Sequence, residues 1–370
     1  MKTRSLSHPL HRSFGSPSVD VRRIVELHFD PRRGSPYWLE RERELGIRAL
    51  EEVHTAQDLD RFGLMNPAAL RERSVWDFVP RGLLVHRERF VVADTAGTVG
   101  VPHRSLFRDD EFHAAFVAPI VAALEGREPF RSGALWAYVG PSGPHVIGKA
   151  VREVCRALGS PDPFSVDFDP RWFKAQRPGS LGRERYLAHV VEQALDIFRR
   201  EPIEVLFTTT PVALALGSSL EAPARERIRF LHSGGLPVER SAEEALRTLF
   251  PNARCLSGYG NSLVGVAPQL EFDERTGPSY YPHGTRLRLR VVRDRAQGPV
   301  WPPEGVAYGE RGRVLVTRLD PSFLILNLPE RDLATRLPPH SDGAARGFIQ
   351  DGLGDPQPAN DVPTARIGLY

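Results

Sequence analysis

Lysine is nearly absent from this chain of 370 residues: it stands at Lys2, Lys149 and Lys174, and nowhere after. The basic side of the +3 balance is therefore almost all arginine, and the second half of the chain offers no lysine amine for chemistry. Cysteine is equally scarce. Cys155 sits among Val151, Val154 and Leu158 and Cys255 beside Leu256, far apart and without CxxC spacing, which reads as reduced core thiols, not a nucleophile or a disulfide. No run of about 18 apolar residues exists to span a membrane. The first 34 residues carry charge, Pro and Gly without an apolar core, so no signal peptide is expected and the expected location is cytoplasmic. Histidines are spread singly; neither His8 with His11 nor His103 with His113 makes a zinc pattern, and no metal-ligating residue is assigned. Arginines are matched locally by acids, as in Glu40 to Glu44, with no basic stripe threaded by aromatics, which argues against nucleic acid. The sequence pI near 9 still favours attraction of an anionic ligand.

What is present is an ordinary globular composition, 41% apolar and 26% charged, at a length that predicts a large domain with two sub-cores or a domain plus an appendage. Ser35-Pro36 and Gly46 bracket a helix from Tyr37 to Leu45 with its aromatics inward. Thr55 with Asp58 forms a capping-box-like start, and Asn66-Pro67 opens another helix. Asp109 is the expected cap of a helix from Asp110 to Leu124, with Phe112, Phe116, Ile120 and Leu124 on one face. Short apolar strands then alternate with helices: Ala134–Val139, Val146–Leu158, Ser165–Phe168, Tyr186–Phe198, Ile203–Thr208, a helix opened by Pro211, Ile228–Leu231, Ala242–Leu249, Arg254–Ser257. That alternation predicts an α/β fold with a parallel sheet, whose ligands bind at the carboxyl ends of the strands. After Gly258 the pattern turns antiparallel, at Arg286–Val292 and Arg313–Leu319.

Four stretches that follow strands are read as loops: Asp94–Val101, Ser233–Pro237, Gly258–Leu263 and Asn327–Leu333. The first, within FVVADTAGTVGVPHRSL from Phe90, has the physics of a phosphate cradle, because glycines admit an anion close to the backbone and threonines add donors. Glycine and threonine between strands serve a plain tight turn equally well. Gly234-Gly235 is a turn or a surface for a base, and Asp332 a helix cap, a surface residue or a ligand contact.

The order of these strings resembles the adenylate-forming superfamily of acyl-CoA synthetases, adenylation domains and luciferases, in its phenylacetate–CoA ligase-like branch. TAGTVGVPH resembles TSGTTGKP, HSGGLPVE the adenine-lining segment, SGYGNSLVG the YGxTE motif, YGERGRVLVTRL the GExGELxxT hairpin, and LPERDL the YRTGDL motif. PYWLERERELGI at the start is similar to the branch's opening, and GPSGPHVIGK and VDFDPRW are similar to the short adenylating-like proteins of phenazine antibiotic biosynthesis. The resemblance implies an N-terminal arm over 1–34, an adenylation-like domain over 35–335 and a residual C-terminal tail over 336–370. It implies an adenylate-forming N-terminal domain of parallel sheets flanked by helices, plus a small antiparallel β subdomain, with the C-terminal mobile domain missing.

By the same resemblance, Thr95, Gly97, Thr98 and Gly100 hold the phosphates of ATP, Gly234 and Gly235 line the adenine, Tyr259 stacks on it, Asp332 accepts from the ribose, and Ser262 meets the α-phosphate. Ser262 and His145 are the expected catalytic residues, and Tyr138 with His145 the expected acyl pocket, although His145 serves equally as a helix-start residue bonded to backbone. Lys149, one turn on, either shares that face or is solvated. The implied reaction is attack of a carboxylate, expected to be aromatic, on the α-phosphorus of ATP to give an acyl adenylate in specialised metabolism. The implied cofactors are ATP and Mg2+, and the partner a small carboxylic acid, with a homodimer left open and neither nucleic acid nor membrane expected. Three departures stand against simple transfer. The magnesium-binding glutamate is Leu263, the loop lysine is Val101 with His103 or Arg104 as substitutes, and the catalytic lysine of the C-terminal domain has no counterpart, which puts thioester formation in doubt. The rival is a catalytically degenerate protein that holds a nucleotide or aromatic acid without turning it over.

Overall fold

In a computed structural model of the chain, residues 19–94, 103–124, 131–143, 145–234, 240–295, 298–299 and 301–359 are described. The first elements among the described residues are α1 (Val21–Phe29), capped by the Asp20 carboxylate, and α2 (Pro36–Leu45), which stops at Gly46 in the left-handed region. Tyr37 and Trp38 turn inward onto Phe78 and Phe62, as the helix phase requires. Asp58 accepts from the backbone and hydroxyl of Thr55, both at 2.8 Å, but the element it opens is a single 3-10 stretch, Asp58–Phe62.

Strands β1 (Phe90–Asp94) and β2 (Arg104–Arg108) pair antiparallel, with Asp94 opposite Arg104. Three contiguous helical pieces follow, Asp109–Phe112, a π turn His113–Val117, and Ala118–Leu124, together α3. The cap position belongs to Arg108, not to Asp109. The reason is Glu111, a buried carboxylate that accepts from Arg108 N at 2.9 Å and from Ser322 N at 2.9 Å, and so sets where the helix begins. Phe112, Phe116, Ile120 and Leu124 share the buried face, as their spacing predicts.

The alternating region runs β3 (Trp136–Gly140), α4 (Val146–Ala157), β4 (Phe164–Asp167), α5 (Pro170–Ala175), α6 (Leu181–Arg200), β5 (Val205–Thr208), α7 (Thr210–Ser219), β6 (Phe230–Ser233), α8 (Arg240–Leu249) and β7 (Arg254–Asn261). Helix α6 begins five residues before the expected Tyr186, because Ser180 Oγ accepts from Arg183 N. Strands β4, β3, β5, β6 and β7 are parallel neighbours in that order. One face packs against α3 and α4, the other against α6, α7 and α8. Burial pushes the Cys155 and Cys255 thiols up to about 12, consistent with inert core residues. No helix among the described residues is long and apolar enough to cross a membrane.

Beyond β7 come β8 (Gly265–Asp273), β9 (Gly277–Tyr280), β10 (Leu287–Val292), β11 (Arg311–Leu319), β12 (Leu324–Leu337) and β13 (Gly352–Pro358). The sheet is continuous through eleven strands, ordered β10-β11-β12-β13-β9-β8-β7-β6-β5-β3-β4. Strand β7 is its joint: Arg254–Ser257 runs parallel to β6, and Gly258–Asn261 antiparallel to β8. The expected α/β class, parallel strands flanked by helices plus an antiparallel part, is the class observed. Two stretches read as loops are strands instead, Gly258–Asn261 in β7 and Asn327–Leu333 in β12. Their turn-like residues are local irregularities within strands: Gly260 at φ +134°, where a Cβ would stand 2.1 Å from Gly265 O, and Asn327 at φ +52° near register shifts. The Gly- and Pro-rich end of the chain also enters the sheet, as β13 between β12 and β9.

One buried guanidinium ties the loops' supports together. Arg318 on β11, fully buried, donates to Ser105 Oγ (2.6 Å) and Leu106 O (2.6 Å) on β2, to Leu263 O (2.8 Å) in the β7–β8 turn, and to Asp320 Oδ2 (2.6 Å). Its plane lies over Phe107 at 3.7 Å and near Phe323 at 4.9 Å. Asp320 is shared with Arg286 through two further bonds, 2.8 and 2.6 Å. Burial alone would push the Asp320 carboxyl up, yet Arg286 and Arg318 hold it below its ordinary range. Removing one member strands a charge in the core. Arg318→Met is expected to lose roughly 3–5 kcal/mol, read as a lower denaturant midpoint at unchanged slope, and a loss below about 1 kcal/mol contradicts this role.

Candidate functional site

The site forms where β7 changes partner. Tyr259, in the antiparallel half of β7, donates its hydroxyl to Asp332 Oδ2 on β12 at 3.0 Å, 73 residues away in the chain. Two residues on, Asn261 donates to Glu330 Oε1 at 3.3 Å and accepts from Leu263 N at 2.9 Å. Glu330 and Asp332 alternate along β12 and so share a side, which brings two carboxylates to one tyrosine and one asparagine. Burial lifts Glu330 to about 7, with the Asp332 charge adding to it. Burial also raises Asp332, against the pull of the Tyr259 bond and of Arg313, Arg331 and Arg311. Tyr259 is pushed far up, first by burial and then by the two acids, so its hydroxyl remains a donor.

The other expected site residues are distributed over the strand ends and turns. Ser262 is buried in the β7–β8 turn. Gly234 follows β6, the strand next to β7, with its N–H donated to Thr208 O at 3.1 Å. Thr209 and Thr210, at the carboxyl end of β5, are buried with hydroxyls that lack a partner among the described residues. His145 is buried at the N-cap of α4, its backbone N–H donated to Ser142 O. It stands five residues past the end of β3, a strand three spacings, or about 14 Å, from β7 across the sheet. Tyr138 packs in the core near Phe207 and donates its hydroxyl to Pro141 O at 2.7 Å. Lys149 is exposed, the solvated alternative. Thr95, Gly97, Thr98, Gly100 and Gly235 lie outside the described residues, as does Val101.

The residues that bound the phosphate-loop stretch are described. Asp94, at the end of β1, has Arg104 at 3.7 Å and Arg171 of α5 at 3.5 Å. Burial lowers the His103 pKa and Arg71, 3.2 Å away, lowers it further, so His103 is not a cation at neutral pH. Of the two substitutes for the missing loop lysine, only Arg104 carries charge. Leu263 turns its side chain into the core at 2% exposure and offers a metal nothing. Among the described residues no group of three or more His, Cys, Asp or Glu is placed to hold a metal. Two residues that sequence reasoning passed over belong to this region. Glu330 stands two before Asp332 in PERD, a spacing that marks one side of a strand once the segment is known to be a strand; His232 opens the HSGG string on β6.

Comparison with known proteins bears on the fold. The chain is similar to 2-hydroxyisobutyryl-CoA ligase in its open conformation in complex with 2-HIB-AMP and CoA: TM-score 0.62, 15% identity, covering 90% of this chain and 71% of that one. The same enzyme in the postadenylation state, with R3-HIB-AMP, gives TM-score 0.62 at 16% identity, over 90% of this chain and 65% of that one. The curated 4-coumarate–CoA ligase 1 of Glycine max is 31% identical over 77 residues, so the match spans 20% of this chain and 26% of that enzyme. No known family profile matches the chain. The fold is thus shared with an acid–CoA ligase, and the implied phenylacetate–CoA ligase branch has no counterpart among these relatives.

Burial also dictates a pH response. His28 and His232, both buried, are pushed down to about 4, so the native state keeps them neutral. A lowered histidine stabilises fully above its unfolded pKa near 6.5 and loses that contribution as pH falls toward 4, roughly 3 kcal/mol for each. Glu330 acts in the opposite sense, favouring the fold below about 4.5 and losing this as pH rises to about 7. Asp332 and Glu111, also raised by burial, act with Glu330, whereas His103, His113 and His283, also lowered, act with the two histidines, and the five histidines outweigh the three carboxyls. Denaturation midpoints are expected to fall from pH 6.5 to pH 4.5, and midpoints that hold level or rise over that range contradict this reading.

Proposed function

We propose that the protein activates a carboxylic acid with ATP, forming an acyl adenylate and releasing pyrophosphate. The observation that carries this reading is the contact of Tyr259 with Asp332, from two strings whose family counterparts meet the adenine and the ribose. Support comes from the shared fold with a ligase determined in complex with its acyl adenylate. In this reading the Tyr259 ring faces the adenine, and Asp332, with one oxygen already accepting from Tyr259, keeps lone pairs for the ribose hydroxyls. Gly234 leaves the base edge unobstructed, and Ser262 in the adjoining turn meets the α-phosphate. Thr95, Gly97, Thr98, Gly100 and Gly235 complete the nucleotide contacts, with Arg104 and Arg171 at the foot of the loop as the nearby positive charge.

The chemistry asked of the protein is alignment and charge neutralisation, because a carboxylate is already an adequate nucleophile once held in line with the α-phosphorus. His145, at the carboxyl end of β3, is the acid's contact at the far side of the cleft. Tyr138 lines the same strand end through its ring, its hydroxyl being engaged by Pro141 O. Mg2+ would take most of its oxygens from the nucleotide, with Glu330 the neighbouring protein carboxylate, since Asp332 is engaged by Tyr259 and the ribose. Its contribution when bound is to neutralise phosphate charge. An aromatic acid and a role in specialised metabolism are the finer form of this proposal.

A second reading has its own observation. Leu263 is locked in the core at the position where the YGxTE motif that this string resembles has a glutamate, which favours a catalytically degenerate protein that binds a nucleotide or aromatic acid. Acid-dependent exchange of labelled pyrophosphate into ATP separates the two: exchange with any aryl or fatty acid means an enzyme, and ATP binding without exchange means a binder. Asp332→Ala is expected to weaken ATP binding by roughly 1.5–3 kcal/mol, the increment of a charged hydrogen bond. Calorimetry that detects no ATP heat at any magnesium level defeats the first reading and the nucleotide form of the second, leaving only a binder of an aromatic acid.

A further inference from the structure

Arg71 stands apart among the arginines around the cleft. It is exposed, on the short helix Ala69–Glu72, and no carboxylate among the described residues pairs with it. Its guanidinium meets an imidazole instead, Nη1 donating to His103 Nε2 at 3.2 Å. Burial, Arg71 and Arg331 together keep the His103 ring neutral, so it accepts from Arg71 without cancelling the charge. The arginines at the foot of the loop differ. Arg104 at 3.7 Å and Arg171 at 3.5 Å share the Asp94 carboxylate, which offsets part of their charge.

Two observations tie this uncompensated charge to the candidate site. His103 leads directly into β2, and Ser105, two residues on, donates its hydroxyl to Leu263 O at 3.3 Å, in the turn that also holds Ser262. Two residues of extended chain span at most about 7 Å, so His103 stands close to the turn that the adenylation reading gives to the α-phosphate. The second observation is Arg331 of β12. Its charge acts on His103 and equally on Glu330 and Asp332, its neighbours in the chain. Arg331 is exposed as well and makes no ion pair among the described residues. Two arginine charges therefore converge on one neutral ring beside the cleft, and like charges gathered without a counter-ion favour an anion between them.

We propose that Arg71 and Arg331 form a diphosphate site, which receives the β- and γ-phosphates of ATP and supplies, from outside the loop, the positive charge that Val101 lacks. A guanidinium presents donors in a plane and matches phosphate oxygens two at a time, so an arginine serves such a site without help from a lysine. The inference rests on the adenylation reading for its ligand. Inorganic tripolyphosphate carries the same phosphates without a nucleoside, and so separates the two.

Calorimetry on the full chain, at one ionic strength and one magnesium level, compares tripolyphosphate, ATP and AMP. The wild type is expected to bind tripolyphosphate and to favour ATP over AMP. Arg71→Gln and Arg331→Gln are each expected to weaken tripolyphosphate roughly 10-fold and to cut the ATP-to-AMP affinity ratio by a like factor, the worth of a charged hydrogen bond to phosphate. Arg71→Lys keeps the charge and should retain part of both, which guards against a folding defect. Arg229→Gln removes the same charge at the amino end of β6, the far edge of the parallel sheet, and should leave both values at the wild-type level. Wild-type values in Arg71→Gln, an equal loss in Arg229→Gln, or no tripolyphosphate binding by the wild type overturns the proposal. Tripolyphosphate binding that needs Arg71, in a protein that takes up neither ATP nor AMP, defeats the adenylation reading and leaves the diphosphate site standing.

Discussion

The buried ion pair of Arg318 and Asp320 is the constraint on which the arrangement rests. A guanidinium with no solvent around it must place every donor on an acceptor, and the acceptors it finds belong to three separate segments. One is β2, which follows the proposed phosphate loop. Another is the turn after Tyr259. The third is the β11–β12 hairpin itself, on which Asp332 rides. Because desolvation makes each unmet bond expensive, the segments have little freedom to drift apart. The two phenyl rings over the guanidinium add to this without adding a polar demand.

The second organising fact is the change of partner within β7. Its first half completes a parallel sheet, whose strand ends are the natural place for a ligand, and its second half begins an antiparallel one. Gly258 and Gly260 stand at that change, where Val266 and Gly265 approach too closely for any side chain. The strand ends of β3, β5 and β6 bring His145, Thr209, Thr210 and Gly234 to one edge, and the antiparallel half brings Tyr259 and Asp332 toward the same joint. Neither half carries the whole set.

Much of this was legible from residues near one another in the chain. The Ser35-Pro36 start, the Gly46 stop and the alternation of five-residue apolar runs with amphipathic helices are local signals, and each became the element it indicated. Local signals failed where long-range bonds decide. Glu111 moves a helix start because Ser322, 211 residues away, shares its carboxylate. YGN and NLPERDL read as loops since their Gly, Asn and Pro residues are turn formers, whereas sheet pairing absorbs them as irregularities of a strand. The five motifs gave the order of the candidate site without its distances. Arg318 looked like one arginine among many, and His232 like a neighbour of a glycine turn; only burial without partners, or burial with too many, sets them apart.

The account's central claim is that one cleft, held by Arg318 and opened at the β7 joint, is built for a purine nucleotide. A crystal structure determined with a non-hydrolysable ATP analogue tests it directly. The prediction is adenine density against the Tyr259 ring with the ribose hydroxyls within hydrogen-bond distance of Asp332; nucleotide density at any other place on the molecule contradicts it.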